Sequence, residues 1–328
     1  MSKIIVIVGP TASGKSALAT LCARKFNGAI ISADSMQIYR GLDIGTAKEK
    51  NTIREEIPHY MLDIADFDEE FSVAQFKNSA SKAIEDIENS GKIPIVVGGT
   101  GLYIEALLYP FTFSNASKDL SIRKTLEYEY KLNGSDFLYE KLKTIDSETA
   151  EKLHPNDIKR IIRALEIFYT TGKTKSESKD EGKICAYDVV FAGLNCDREK
   201  LYERINQRVE EMFKAGLLEE IKSLEAYPDR FMWQSMQAIG YKEFARYYNR
   251  NENEILFDVD NKNMQKTISD CSANELELIK ENIKKDTRNY AKRQLTWFRR
   301  YKNITWFDCL IERDEALDFI GKQLEMKA

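Results

Sequence analysis

The chain has 328 residues, 43% of them apolar and 31% charged, with a net charge of −4. That length fits one large domain or two smaller ones, and the apolar share is enough for a sizeable core. The charged share excludes a membrane protein, because no run approaches the roughly 18 uninterrupted apolar residues of a spanning helix, and the acidic total does not by itself advertise nucleic acid.

Residues 3–8 form a short β-branched run and read as a buried strand. Met1-Ser2-Lys3 leads straight into it, so the N-terminus reads as a first strand and not as a signal peptide. Residues 15–26 have helical spacing, with Leu18, Leu21, Cys22 and Phe26 on one face. A second strand is expected at 29–32 and a weaker one at 59–64. Ser72 reads as the N-cap of a helix that runs to about Asn89 and stops at Gly91. Residues 93–97 are another apolar strand, closed by Gly98-Gly99. Such alternation implies an α/β core: a mainly parallel sheet with helices on both faces.

Beyond Phe113 the pattern becomes helical and polar, with helices expected at 122–132, 137–145, 147–154 and 157–170 and a charged loop at 172–182. Residues 114–184 are therefore expected to be a helical insertion domain, and 1–113 with 185–328 the core. A core strand returns at 189–194. Helices follow at roughly 198–215, 217–226 and 233–249, then a polar loop at 251–273 and a long basic helix at about 275–301. The five cysteines (Cys22, Cys185, Cys196, Cys271, Cys309) show neither metal spacing nor a disulfide framework, and two histidines make a zinc site a poor reading. A reducing cytoplasm suits such a chain.

Gly9-Pro10-Thr11-Ala12-Ser13-Gly14-Lys15-Ser16 matches G-x-x-x-x-G-K-[ST] between an expected strand and helix. In such a loop, backbone N–H groups and the helix N-terminus converge on phosphate oxygens. Lys15 adds a point charge, and the Ser16 hydroxyl suits Mg²⁺. The loop specifies a di- or triphosphate without saying which. After the second strand comes Ser32-Ala33-Asp34-Ser35-Met36-Gln37, placed where open α/β sheets line their ligand crevice. Asp34 reads equally as a general base or as the cap of the next turn. Gln37 suits a base edge, although a lone glutamine is usually surface. Gly98-Gly99-Thr100-Gly101 lets backbone approach a ligand or makes a tight turn, with Thr100 its one polar side chain able to reach substrate. A nucleotide hydrolase usually ends a core strand with a Mg²⁺-serving aspartate. Here that strand ends in Gly98, and only Asp63, on the weak strand, could substitute, which argues against ordinary hydrolysis.

Three basic clusters stand out. Arg160 and Arg163 share a helical face and suit a phosphate lid or an RNA backbone, against the plainer reading of a solvated face. Arg204 and Arg208 lie one turn apart, with Glu203, Glu210 and Glu211 near enough in sequence to neutralise them. Between residues 282 and 302, Lys284, Lys285, Arg288, Lys292, Arg293, Arg299, Arg300 and Lys302 face a single acid, Asp286. Arg288, Lys292 and Arg299 fall on one stripe, interleaved with Leu295, Trp297 and Phe298, which could stack on bases or dock the helix on the core.

Taken together, the phosphate loop, residues 31–48, residues 98–103, His154-Pro155-Asn156-Asp157, Arg163-Ala164-Leu165-Glu166, Ala238-Ile239-Gly240-Tyr241-Lys242 and residues 291–299 occur in an order that resembles the tRNA dimethylallyltransferase family. The chain departs from the pattern at Glu49, where a proline usually follows Thr-Ala-Lys, and it looks like the compact bacterial form without a zinc-finger extension. The resemblance implies a P-loop NTPase-like core and transfer of a dimethylallyl group from its diphosphate to the exocyclic amine of the adenosine 3′ of the anticodon. It implies Asp34 as base, with Thr11 and Arg208 in the catalytic group, Arg160 as a possible second arginine on the diphosphate, and residues Gly9 to Ser16 on the diphosphate with Mg²⁺ at Ser16. It places tRNA on Asp34, Ser35, Met36, Gln37 and Thr100, on Arg123, Lys159, Arg160, Ile161, Ile162 and Arg163 of the insertion, and on Lys292, Arg293 and Arg299. A cytoplasmic monomer is expected. The competing readings are prenylation of free AMP or ADP, a P-loop small-molecule kinase, and a P-loop RNA-binding protein without transferase chemistry. The basic segments favour RNA over a small nucleotide.

Overall fold

A computed structural model describes residues 2–109, 119–177, 184–227, 230–248 and 268–326. Most of the expected polar loop at 251–273 lies outside the described residues, as does the end of the loop at 172–182. The chain divides into two compact units, one of residues 1–108 with 186–328 and the other of residues 109–185.

In chain order the first unit contains β1 (Lys3–Val8), α1 (Lys15–Lys25), β2 (Gly28–Ser32), α2 (Asn51–Glu56), β3 (His59–Tyr60), α3 (Val73–Asn89), β4 (Ile93–Gly98) and α4 (Gly101–Leu108). The second unit supplies α5 (Leu120–Ile145), α6 (Ser147–Ala150) and α7 (Ile158–Thr171). The first resumes with β5 (Asp188–Asn195), α8 (Arg198–Lys214), α9 (Leu217–Ser223), α10 (Lys242–Tyr248), α11 (Ala273–Phe298), β6 (Thr305–Asp308) and α12 (Arg313–Glu325). Six strands form one sheet in the order β3-β2-β4-β1-β5-β6, and every pairing is parallel.

The sheet follows from the sequence of its central strands. Ile4 to Val8 are fully buried, as a parallel strand covered on both faces requires. One side of the core packs Ile5, Ile7, Leu18, Cys22, Ile95, Ala192 and Leu194 together with Ala316 and Ile320 of α12. Ser72 caps α3 with a reciprocal pair of bonds to Gln75, as its spacing predicts.

The structure differs from the sequence reading in several places. β3 has two residues, not six. In place of the helix expected at 233–249 there is a 3₁₀ turn, Ser235–Gln237, and then α10; Gly240, at φ 99°, breaks the run between the turn and the helix. β6 and α12 were not expected from the sequence, because Thr305–Asp308 is short and mixed in character. In the second unit, Ile161 and Ile162 are 0% and 5% exposed and pack with Leu126, Leu138, Leu142 and Leu165. Their side chains therefore form that unit's core, which corrects their placement on an RNA surface.

Candidate active site

Parallel strands bring β1, β2 and β4 to a common edge, and the loops beyond their carboxyl ends form the site. Gly9 takes φ 149°, and a Cβ there would lie 2.3 Å from the Leu194 carbonyl oxygen, so only glycine lets the loop leave β1 against β5. Gly14, at φ 83°, turns the chain into α1 and aims its free N–H groups at the loop's hollow. A Cβ on Gly98 would meet the Ala33 carbonyl oxygen at 2.2 Å, which is how the ends of β2 and β4 come so close.

The result is a cavity of about 620 Å³. Its walls include Thr11, Lys15 and Ser16 of the phosphate loop, Asp34 to Gln37 after β2, Gly98 and Gly99 after β4, Arg204 and Arg208 of α8, and Tyr290, Arg293 and Gln294 of α11. Residues far apart in sequence thus converge on one space.

The electrostatics of this space favour an anion. Lys15 donates to the Pro10 carbonyl at 2.6 Å, and burial together with the nearby Arg208 pulls its ammonium down to about 7. Burial also lowers the Arg208 pKa, with Asp34 and Glu211 opposing that shift. The neighbouring glutamates form no ion pair with Arg204 or Arg208 among the described residues, although Glu211 acts on Arg208 electrostatically. Glu210 pairs with Lys280 at 3.2 Å and Lys284 at 2.6 Å, and Glu211 accepts from Gln207. Arg204 instead donates to the Ala12 carbonyl at 2.8 Å, bracing the phosphate loop. Neither arginine has an ion-pair partner among the described residues. Arg208 and Lys15, both desolvated and near each other, are costly to hold without an anion between them.

Asp34 holds the local turn, and its carboxylate also stands where a base could reach a ligand. Its Oδ1 accepts from the Met36 N–H at 2.9 Å, a local turn, while the carboxylate lines the cavity. Thr100 braces rather than reaches: its Oγ1 accepts from the Ser35 N–H at 3.0 Å, and it is not part of the cavity wall. Gln37 is largely engaged as well. Its Nε2 donates to the Thr46 and Ala47 carbonyls and its Oε1 accepts from Ser32, leaving little of the amide to read a base. Asp63, the substitute metal aspartate, is ion-paired at 2.6 Å to both Lys48 and Arg54. Burial alone would raise its pKa, but those two cations hold it below the usual carboxylate range. It is not available to a metal at the phosphate loop.

Among the basic candidates, Lys292 and Arg293 of α11 and Arg299 at its C-cap are exposed. In the second unit Lys159 and Arg160 are exposed, but Arg123 and Arg163 both bind the fully buried Glu166, at 2.9 and 2.7 Å. Those two arginines hold their own unit together before they serve any ligand. Sequence reasoning passed over Gln294 and Tyr290. Both sit inside the basic block, where their neighbours' charges were the stronger signal.

A phosphate loop, a carboxylate and two arginines with no ion pair among the described residues thus share one cavity, and comparison with known proteins says which family builds this arrangement. Residues 37–301 match the model of the IPP transferase family. The chain belongs to that family. A tRNA dimethylallyltransferase of Bacillus mycoides is 43% identical over 99% of the chain and 96% of its own length. One from Caldanaerobacter subterraneus is 46% identical over 93% and 91%. Among solved structures, the full-length tRNA isopentenylpyrophosphate transferase of Bacillus halodurans is 39% identical, covers 100% of this chain and 98% of its own, and superposes with a TM-score of 0.69. A eukaryotic dimethylallyltransferase acting on tRNA reaches a TM-score of 0.77 at 33% identity, over 99% of this chain and 78% of its own. Transferases of this family have the P-loop NTPase-like core found here, and the parallel sheet and loop are its common elements.

Proposed function

We propose that this prenyltransferase moves a dimethylallyl group from dimethylallyl diphosphate to the N6 amine of the adenosine 3′ of the anticodon, at position 37 of tRNA. Its family and relatives support dimethylallyl transfer to a tRNA adenosine. One observation carries the finer reading: Asp34 lines the same cavity as Lys15 and Arg208, so a carboxylate faces the place where a phosphate leaving group would sit.

The chemistry follows from these side chains. The N6 lone pair is delocalised into the adenine ring, which makes the amine a poor nucleophile. Asp34 accepts an N6 proton as the bond from N6 to the dimethylallyl C1 forms. The C1–O bond breaks at the same centre, and its electron pair leaves with the diphosphate. Lys15, Arg208 and the phosphate-loop amides stabilise the charge that builds there. Thr11 stands at the loop's edge and helps position the donor.

Mg²⁺ fits as a partner of the substrate more than of the protein. Among the described residues no three His, Cys, Asp or Glu side chains gather to hold a metal. Ser16 is exposed at the start of α1, and its hydroxyl would suit a Mg²⁺ that arrives with the substrate. When bound, the ion would add charge stabilisation to the departing diphosphate.

The target base must leave its stack to enter the cavity, at a cost of about a few kcal/mol. Lys292 and Arg293 of α11 and Arg299 at its C-cap, with Lys159 and Arg160 of the second unit, supply phosphate contacts that offset it. No helix among the described residues is long and apolar enough to cross a membrane, and a tRNA substrate fits a cytoplasmic enzyme. Incubation with labelled dimethylallyl diphosphate and unmodified tRNA tests the reading. Label in tRNA at the adenosine 3′ of the anticodon is the expected result. Label in free AMP or ADP, or phosphate transfer from ATP, would replace it with one of the competing readings.

A further inference from the structure

We propose that Gln294 is a positioning residue that fixes the donor's phosphate loop against the turn that carries the acceptor-side groups. Its Oε1 accepts from the Thr11 N–H at 2.8 Å, and its Nε2 donates to the Gly99 carbonyl at 3.0 Å. The backbone chemistry dictates that orientation of the amide, since an N–H must meet the oxygen and a carbonyl must meet the NH₂. Gln294 is 4% exposed and shares a helical face with Ala291 and Phe298, both fully buried. At such a position an apolar side chain would pack α11 just as well, and a buried amide is tolerated only because its bonds are made.

The bonds reach the reacting groups in two directions. Thr11 belongs to the phosphate loop. Gly99 leads into Thr100, whose N–H donates to the Ala33 carbonyl at 3.2 Å and whose Oγ1 accepts from Ser35, the residue after Asp34. One amide therefore joins the leaving-group loop to the strand end that presents the base. The glycines of the turn are shaped for it. A Cβ on Gly99 would fall 1.9 Å from the Gln294 Nε2, and one on Gly101 would fall 2.2 Å from the Trp297 ring. Tyr290, one turn before Gln294 on α11, lines the same cavity.

A misplacement of about 1 Å between reacting groups can cost about 10²-fold in rate. The inference rests on the phosphate loop being the donor's seat, which is checked separately: Lys15→Met must weaken donor use. The test is steady-state transfer by Gln294→Glu and Gln294→Met, with thermal midpoints measured alongside. Glutamate keeps the acceptor for Thr11 but turns a carboxylate oxygen on the Gly99 carbonyl. Methionine keeps the length and packing without polar atoms, and it carries the test should the glutamate variant not fold. Both variants are expected to lose roughly 10²-fold in kcat. The tRNA KM should stay within about threefold and the midpoint within a few degrees. Lowering the pH should return activity to Gln294→Glu alone, because a protonated carboxyl regains a donor. A methionine variant that keeps more than about a third of wild-type kcat overturns the proposal. So does a loss of kcat that tracks a loss of thermal stability. Either result, with the Lys15→Met effect intact, leaves the donor seat standing and removes Gln294 from the reaction.

Discussion

Asp34 has two tasks that one substitution separates. Its Oδ1 holds the turn at Met36, and its charge faces Lys15 and Arg208. Asparagine keeps an acceptor for the Met36 N–H but cannot take a proton from the amine. Asp34→Asn is therefore expected to lower the single-turnover rate at least ~10²-fold with an unchanged thermal midpoint. Near-normal turnover would remove Asp34 from the role of base. Lys15 adds a pH dependence. Burial first, then Arg208, holds it down from 10.5 to about 7 in the ligand-free protein. A bound diphosphate favours the charged amine, so above about pH 7 binding takes up a proton. The affinity for inorganic diphosphate should then fall by up to about tenfold per pH unit above 7. The diphosphate's own ionisation pulls the other way, so the sign identifies the lysine. Titration calorimetry on the wild type and on Lys15→Met checks it, and the variant should show no such fall. The same shift acts on folding: the folded state disfavours the proton, so Lys15 makes stability rise with pH between about 7 and 10.5. At this scale the sequence was informative where a motif carried geometry with it, as in residues 9–16. It was silent on Gln294, because nothing local to an amide on a helix reveals two partners 195 and 283 residues away.

Elements that line the cavity are held by elements that do not. The segment 43–47 forms part of its wall, and a carboxylate on α9 secures it. Glu220 accepts from the Asp43, Ile44 and Gly45 N–H groups at 2.8, 2.8 and 3.0 Å, and from the Tyr241 hydroxyl. Tyr241 in turn presses on Gly45, where a Cβ would lie 2.5 Å from its ring. All four partners are donors, so an amide at Glu220 must set an NH₂ against some of them. Glu220→Gln should cost about 2–4 kcal/mol, the price of charge-assisted bonds lost and donors left unpaired. Hydrogen exchange at Asp43 to Gly45 should accelerate in step with it. Unchanged protection there would show that Lys48, bound to Asp43 and Asp63, holds the segment without Glu220. Element boundaries were readable where a cap or a breaker stands in the chain, as at Ser72 and Gly91. They were not readable at 230–241, where short 3₁₀ turns imitate helical spacing. Nor was β6 readable: Thr305 to Asp308 becomes a strand only because β5 offers it an edge. Arg160-Ile161-Ile162-Arg163 shows the same limit. The sequence marks the block as important, but the alternation of charged and apolar residues is the mark of a helix packed on one face. The isoleucines are core.

The whole molecule carries a net charge of −4 and yet is to hold a polyanion, so its cations must be placed, not merely numerous. A count along the sequence overstates the basic face of α11. Lys284 is 8% exposed and bound to Glu210 and Glu281, Arg288 donates to Asn206, and Arg300 lies 3.6 Å from Glu105. Lys292, Arg293 and Arg299 lie in the exposed part of the helix's last turns, with no carboxylate in ion-pair distance among the described residues. That division predicts how tRNA binding responds to salt. Each cation that displaces a counterion from a phosphate adds about 0.7–0.9 to the slope of log affinity against log salt. Arg299→Ala should flatten the slope by about that amount, while Lys284→Ala should leave it unchanged, since Lys284 already has protein partners. Binding of an unmodified anticodon stem-loop over a range of KCl concentrations measures both. Donor binding, confined to the cavity, should respond far less. If Lys284→Ala flattens the slope as much as Arg299→Ala, the tRNA-facing surface lies on the side of α11 that packs toward α8. Equal losses of tRNA and donor affinity with salt would instead mean that no extended basic face exists, and that the cavity alone accounts for binding.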